Sequence, residues 1–565
     1  MKNVYIILFV FVVSVTFYPQ RNSVINNSSA DQTQIQFTSS NLPIVIINTN
    51  GQDITSDEKI TADMGIIFNG EGVRNYLTNP YNNYNGKIGI EIRGSSSQSF
   101  PKKQYAVETR DSLGEDLDVS LLGFPEESDW ILFAPYNDKS LMRDVLIYKL
   151  ASDMGRYASR SKYCEVVLNN EYVGVYVLLE KVKRDNDRVN IKKLEPTDIT
   201  GDAITGGYII KIDKTDGEEV DGWYSTYLPY PQSQHSIFYQ YHYPKPDEIV
   251  QQQQDYIKSK IFSFETMMAF NTNISDSADG YPKFLDADSF VDFVLVNEVA
   301  KNVDAYRLST YLYKDRDSRN TKIFVGPVWD FNLGFGNADY YNGWTTNGWQ
   351  LEYLSNYETN MGGESFLIPN WWLKLFQDSL FQNKVYARWQ NVKANIFNTQ
   401  KINHYIDSLT ILLDESKTRN FEKWPVLGVW VWPNYYVFPT YAEEVAFLKS
   451  WINNRLNWMN TNMIGEPSSV ENLDDEIPLE FSLEQNYPNP FNPVTTISFA
   501  LPISIQTKVT VYDILGREVQ VLKNDFLNAG YHRIVFNAND LSSGVYFYKI
   551  ETSSFSKSKQ MLLLK

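Results

Sequence analysis

The sequence predicts an α+β chain in which a strand-rich front passes into a helix-rich rear, followed by a small C-terminal β-sandwich. Three observations carry this prediction. Short apolar runs broken by turn signals fill about 42–111, 162–182 and 206–246, and apolar residues at helical spacing dominate about 247–302 and 364–463. An acidic, proline-bearing stretch then separates both from a last set of period-2 runs. With 565 residues, 43% of them hydrophobic, the chain can bury more than one core.

Taken in order, the opening "MKNVYIILFVFVVSVTFYPQ" joins a basic residue to a short apolar run, the proportion of a signal peptide over 1–18. No A-x-A site marks its cleavage, and a membrane anchor is the alternative reading. Residues 19–41 form a polar spacer rich in Asn, Ser, Gln and Thr. "LPIVIINTNG" to "KKQYAVETRD" reads as strands and Asn-Gly turns, and "DKSLMRDVLIYKLASDMG" as a helix capped by Asp138 or Ser140 and closed by Gly155. "KYCEVVLNNEYVGVYVLLEKV" is a hairpin turning at Asn169 and Asn170.

The aromatic run "NWWLKLFQDSLFQNKVYARWQ" predicts a buried helix face, with a ligand-stacking platform as the alternative. The linker falls at 465–484. The runs "TTISFAL", "KVTVYDILGREV", "YHRIVFNA", "GVYFYKIET" and "KQMLLLK" beyond it give a sandwich over 485–565. No stretch after the leader is apolar enough to span a bilayer, so the mature protein is expected to have no integral membrane span.

A net charge of −17 argues against nucleic-acid binding, which needs a basic footprint. Cys164 is the only cysteine, so an intramolecular disulfide and a cysteine-based zinc site are both excluded, and a packed core thiol is expected. His235, His242, His404 and His532 share no ligand spacing, so any metal should have oxygen ligands.

The stretch "DSFVDFVLVNEVAKNVDAYRLSTYLYKDRDSRNTKIFVGPVWDFNLGFG" carries the sharpest chemistry. A helix breaks near "KNVD", "STYLYKD" runs out as a strand, "RDSRN" turns, and "KIFVGPVW" returns. An antiparallel hairpin sets its two ends side by side, so Asp304 before it and Asp330 after it should meet. Two carboxylates in aromatic company need a proton or a cation between them, and Mg²⁺ is the natural hard cation. Helix, Asp loop, hairpin and Asp is also the order used by protein kinases. Loop-capping aspartates are the plain alternative, and a glycosidase acid–base pair is another.

Two resemblances extend this reading. "YPNPFNPVTTISFALP", "VTVYDILGREV", "LNAGYHRIVFNANDLSSGVYFYKIE" and "SKSKQMLLLK" resemble the C-terminal sorting domain of type IX secretion substrates. That implies handling by the type IX machinery and a secreted or outer-membrane surface location. "IEIRGSSSQSFPKKQYAVE", "LLGFPEESDWILFAPYNDKSLMRDVLIYKLASDMG", "CEVVLNNEYVGVYVLLEKVKRDNDRVNI", "GGYIIKID", "NEVAKNVDAYRLSTYLYKD" and "GPVWDFNLGFGN" resemble the spore-coat-protein-H (CotH) kinase family. The resemblance implies a CotH kinase-like domain over 42–464, with an atypical protein-kinase-like, two-lobed fold of β-rich N-lobe and helical C-lobe. It also implies transfer of the ATP γ-phosphoryl to Ser or Thr hydroxyls of protein substrates, the chain itself included, with Mg²⁺ or Mn²⁺.

Carried over by motif, Asp304 matches the catalytic-loop aspartate and Asp330 the metal-binding one. For the nucleotide, Lys103 is the expected phosphate-binding lysine with Lys102 its competitor, Arg93 contacts phosphate or braces the serine turn, and Glu180 meets adenosine or forms a structural ion pair. The helix that should supply a glutamate partner for the lysine has none, only Asp144, Asp153 and the prominent Arg143. Where a kinase has a second metal-ligating Asn stands Ser309, and Asn332 occupies the position of a further acid, with Asn302 and Asn337 as substitutes. A non-catalytic surface binding or adhesion protein on the same scaffold is the competing function.

Overall fold

A computed structural model describes residues 35–215, 220–465 and 480–564, apart from 487, 528 and 540. The signal peptide assigned to 1–18 and most of the linker lie outside the described residues.

Seven strands close into a barrel: β1 (Ile44–Asn48), β2 (Ile60–Ile67), β3 (Tyr84–Arg93), β4 (Gln104–Arg110), β5 (Asp129–Phe133), β6 (Ser161–Leu168) and β7 (Glu171–Glu180). They run around the barrel in the order β1-β2-β3-β4-β5-β7-β6. The β6–β7 hairpin turns where the sequence predicts, with Asn169 and Asn170 both at positive φ (50° and 66°), the backbone of a type I′ turn. Side chains alternate along the strands as a two-residue period demands. Trp130, Leu132, Tyr176 and Leu178 fill the barrel interior. Ile131, Phe133, Val175, Val177 and Leu179 face outward into the main core.

Helix α1 (Arg143–Asp153) follows β5. It starts later than the capping pattern suggests: Met142 is its N-cap and makes no side-chain cap. Asp138 reaches the helix start from outside, accepting from the Arg143 amide at 2.8 Å and pairing with its guanidinium.

Beyond the barrel, a five-stranded sheet is built from β8 (Tyr208–Ile212), β9 (Gly222–Tyr224), β10 (Phe238–Tyr243), β11 (Thr310–Lys314) and β12 (Ile323–Val325). Its order is β9-β10-β8-β11-β12. The predicted return strand is shorter than "KIFVGPVW", because Gly326 at φ 116° and Pro327, which lacks an N–H, end the ladder at Val325.

The helix-rich part comprises α2 (Gln251–Phe270), α3 (Ala287–Ala300), α4 (Asn370–Gln377), α5 (Ser379–Lys393), α6 (Thr399–Leu412), α7 (Asp414–Lys423) and α8 (Tyr441–Asn462), of which α3 packs on β12 of this sheet and α7 on β7 of the barrel. Helix α3 is buried from Ser289 to Ala300 on every side, which is why its sequence is apolar with little amphipathic contrast. Trp371, Trp372, Leu375 and Phe376 of α4 are buried, the core face expected of that aromatic run. The Cys164 thiol is buried, and burial pushes its pKa up to about 12.

The C-terminal part is a sandwich of β13 (Ser482–Leu483), β14 (Val494–Leu501), β15 (Ile505–Tyr512), β16 (Glu518–Leu527), β17 (Gly530–Asn537), β18 (Gly544–Glu551) and β19 (Ser556–Leu563). One sheet runs β13-β14-β17 and the other β16-β15-β18-β19. Its core, including Ile497, Val509, Phe536, Tyr548 and Met561, is its own. Among the described residues, no helix is long and apolar enough to cross a membrane.

Candidate active site

A cavity of about 720 Å³ opens between the barrel and the five-stranded sheet, a size suited to a nucleotide-sized ligand. The end of β3 with the turn after it, the end of β7, the end of β8 and the loops flanking the β11–β12 hairpin all contribute lining residues.

The hairpin does what its sequence predicts. Strands β11 and β12 pair antiparallel, Lys314 opposite Ile323 and Leu312 opposite Val325, and Asp304 and Asp330 line the same cavity. A buried asparagine ties their loops together: Asn302 accepts from the Asp304 amide (3.2 Å) and donates to the Asp330 carbonyl (3.4 Å). Several non-glycine residues here hold left-handed backbone, Tyr306 at φ 69°, Ser309 at 48° and Asp330 at 63°. Each is a strained conformation that the surrounding packing must impose.

Asp304 is oriented by Arg307, whose guanidinium donates to its Oδ1 at 2.7 Å and also pairs with Glu364 at 3.2 Å. Asp330 sits among charges of its own sign. Burial, then Asp304 and Asp213, push its pKa up to about 6, while Arg93 and Lys214 pull it down. Asp213 is itself raised, by burial above all. Burial and Asp330 push Asp144 of α1 up to about 8.

The cations facing these carboxylates differ from the expected lysine. Arg93 at the end of β3 lines the cavity, with its guanidinium over the Trp329 ring at 5.8 Å. Lys214, just past β8, reaches across to donate to Ser96 Oγ at 2.8 Å. Ser96 belongs to a 3₁₀ turn, Ser96–Ser99, that forms one wall.

Lys103 does not reach the cavity. It lies one residue before β4, on the opposite side from the cavity-lining Gln104, and its ammonium donates to the Gln98 carbonyl at 2.6 Å. Lys102 is buried against Val175 O and Asn420. Glu180 also points away. Its neighbours Leu179 and Lys181 line the cavity, so the alternation of β7 turns Glu180 to the other face. There it meets Arg160 at 2.6 Å and Arg188 at 3.7 Å. The ion-pair reading of Glu180 is the one the geometry fits.

Ser309 and Asn332 both line the cavity. The Ser309 amide donates to the Asp213 carboxylate, and the Asn332 amide donates to Asn137 Oδ1 at 3.1 Å. Asn337 braces the loop by donating to the carbonyls of Asn137 and Asn332. Sequence reading missed Asp213, Lys214 and Arg307, and passed over Asp144 as a mere absence of glutamate. Asp144 and Asp213 come from elements far from the hairpin in sequence, so only the fold juxtaposes them.

The donor set suits a hard divalent cation. It consists of carboxylate oxygens crowded without enough positive charge, one of them, Asp144 Oδ2, buried with no hydrogen-bond partner. No group of three or more His, Cys, Asp or Glu side chains forms a metal cluster among the described residues. A cation here would therefore take few protein ligands, as Mg²⁺ does beside phosphate.

Comparison with known proteins gives two family matches: CotH kinase protein over residues 90–459, and the secretion system C-terminal sorting domain over residues 485–564. No curated protein matches. Among solved structures, the twitchin kinase region from C. elegans aligns over 82% of this chain and 70% of that one at 8% identity. Its TM-score of 0.14 is too low to carry any argument. Since the first match covers well over half of its 565 residues, the chain belongs to the CotH kinase protein family and ends in a secretion-system sorting domain.

Proposed function

We propose that this protein is a secreted or surface-attached kinase that transfers the γ-phosphoryl group of ATP to Ser or Thr hydroxyls of proteins. In this reading the barrel and the helix-rich part act as the two lobes of a kinase-like fold around the nucleotide. The observation that carries it is that Asp304 and Asp330 line one nucleotide-sized cavity together with Arg93, Lys214 and a serine turn.

Each residue then has a task set by its surroundings. The apolar stretch of wall from Ile131, Leu179 and Val182 holds the purine. Arg93 and Lys214 offset phosphate charge, and the Ser95–Ser97 hydroxyls face the phosphates. Asp304, fixed by Arg307, orients the acceptor hydroxyl and takes its proton as the oxygen attacks the γ-phosphorus and the bond to ADP breaks. Asp330 would hold Mg²⁺, or Mn²⁺, with Asn332 and Ser309 beside it; the ion when bound neutralises charge on the phosphates. Most of the catalysis is positioning and electrostatics.

The test is transfer of labelled phosphate from ATP by the purified chain, with itself and Ser/Thr peptides as acceptors. Asp304→Asn should lower transfer by about 10²–10⁴-fold, the usual worth of a positioned general base. Asp330→Asn should remove nucleotide-dependent thermal stabilisation as well. Wild-type transfer rates in either variant would overturn the assignment. Wild-type protein that neither transfers phosphate nor is stabilised by ATP would favour the non-catalytic binding function.

A further inference from the structure

Helix α1 brings to the cavity a further carboxylate, beside Asp304, Asp330 and Asp213, to which the proposed chemistry gives no task. Asp144 is only 3% exposed. Its Oδ1 accepts from the Phe331 amide at 2.8 Å and from the Tyr148 hydroxyl at 3.2 Å. The Tyr148 hydroxyl in turn accepts from the Asp330 amide at 3.2 Å. Asp144 is thus clamped against the backbone of the very residues that carry the Asp330 side chain. Its other oxygen, Oδ2, is buried with no hydrogen-bond partner, and Asp144 is among the residues that line the cavity.

A buried carboxylate oxygen left without a donor is costly, and a second carboxylate nearby makes it more so. No lysine relieves it: Lys102 and Lys103 are engaged elsewhere. Arg143, its neighbour in sequence, turns away to Asp138 and the Gly334 carbonyl. A glutamate on this helix would reach outward for a lysine, whereas the shorter aspartate keeps its oxygens beside residues 330 and 331. Meanwhile the positions flanking the two loop aspartates offer only Ser309 and Asn332, so a second acidic ligand must come from outside the hairpin.

We infer that Asp144 is a direct ligand of the divalent cation, supplying from α1 the second carboxylate that Asn332 does not. The inference rests on the nucleotide-and-cation reading given above. Two carboxylates balance a divalent charge, and phosphate oxygens and water complete the shell, the way Mg²⁺ and Mn²⁺ are usually held beside nucleotides. Asp144 is then a ligand donor where a typical kinase has an ion-pair partner for its lysine.

The experiment uses the full chain with ADP and Mn²⁺, bound Mn²⁺ being counted by electron paramagnetic resonance. Asp144→Asn keeps an oxygen to accept from Phe331 and Tyr148 but loses the charge. We expect Mn²⁺ half-saturation to weaken by about 10–100-fold, while thermal stability in EDTA holds, because the amide keeps the shape and the accepting oxygen of the carboxyl. Asp144→Cys makes the stricter test, since thiolate prefers soft ions. Cd²⁺ should bind this variant at least about 10-fold tighter than wild type, with the buried Cys164 not competing.

Unchanged Mn²⁺ half-saturation in Asp144→Asn would overturn the ligand role and leave the kinase reading standing. Wild-type protein that binds no Mn²⁺ with ADP would overturn both. Should Asp144→Asn fail to fold, the Cd²⁺ comparison decides, and no tightening in Asp144→Cys refutes the inference.

Discussion

Glu265 of α2 shows what a single buried carboxylate does away from the cavity. It accepts from Ser225 Oγ at 2.8 and 2.9 Å and from the Tyr239 hydroxyl at 2.8 Å, with no cation among these partners. Burial pushes its pKa from 4.5 up to about 7. The sign follows from linkage. Below the unfolded value both states hold the proton; between the two values the unfolded chain releases it and the folded chain keeps it. Stability therefore falls as pH rises through this window, by up to about 3 kcal/mol at its upper end. Glu265→Gln should flatten that loss, matching wild type near pH 4.5 and exceeding it by about 1–3 kcal/mol above pH 7. Denaturant unfolding of both proteins at several pH values measures the difference, and parallel curves would refute it. At this scale the sequence was legible where position alone decides. Asp304 and Asp330 needed only a hairpin to meet. Lys103 and Glu180 depended on which face of a strand each would take, and the parity at Gln104 and Leu179 turned both away.

Helix α7 braces the barrel, and its contacts show why element-level reading stops short of the site. Asn420 accepts from the buried Lys102 ammonium at 2.8 Å and from the Val175 amide at 3.1 Å. Arg419 pairs with Glu165, and Trp424 donates to the Val173 carbonyl at 2.9 Å. Gly174 makes the close approach feasible: at φ 110°, a Cβ there would lie 2.8 Å from Asn420 Oδ1 and 3.1 Å from the Trp424 ring nitrogen. Burial lowers the Lys102 pKa to about 7, so this ammonium depends on its acceptors. Asn420→Ala removes one acceptor from a buried cation and leaves the Val175 amide unpaired, and should cost about 2–4 kcal/mol. Gly174→Ala should cost about 1–3 kcal/mol through backbone strain and the clash. Urea unfolding monitored by tryptophan fluorescence checks both, and a loss below about 0.5 kcal/mol, the range of an ordinary surface substitution, would refute the brace. Helices and strands could be read from periodicity because burial enforces it. A long-range partner such as Lys102 for Asn420 leaves no periodic trace. The start of α1 was misplaced for a related reason: Asp138 satisfies the helix amide from five residues upstream, outside the usual capping position.

Across the whole molecule, the hydrophobic clusters divide cleanly. The barrel interior and the main core share the strands of one body, because β5 and β7 give alternate side chains to each. The sandwich core draws only on residues after 480. A linker of acidic and proline-bearing composition joins the two, and a segment of that kind transmits little packing energy. Body and sandwich should therefore unfold independently. Calorimetry of the full chain is expected to resolve two transitions, and a chain ending at residue 465 should lose one while the other moves by less than about 2 °C, the shift that a change of about 2 kcal/mol brings in a body of this size. The sorting-domain match gives the same truncation a second, cellular consequence. If the sandwich serves export alone, the shortened chain should keep its response to Mn²⁺ and ADP and yet stay inside a cell that secretes the full protein. Loss of the nucleotide response on truncation would mean that the sandwich contributes to the body's fold, and the separate cores would then be a misleading guide to how stability is divided.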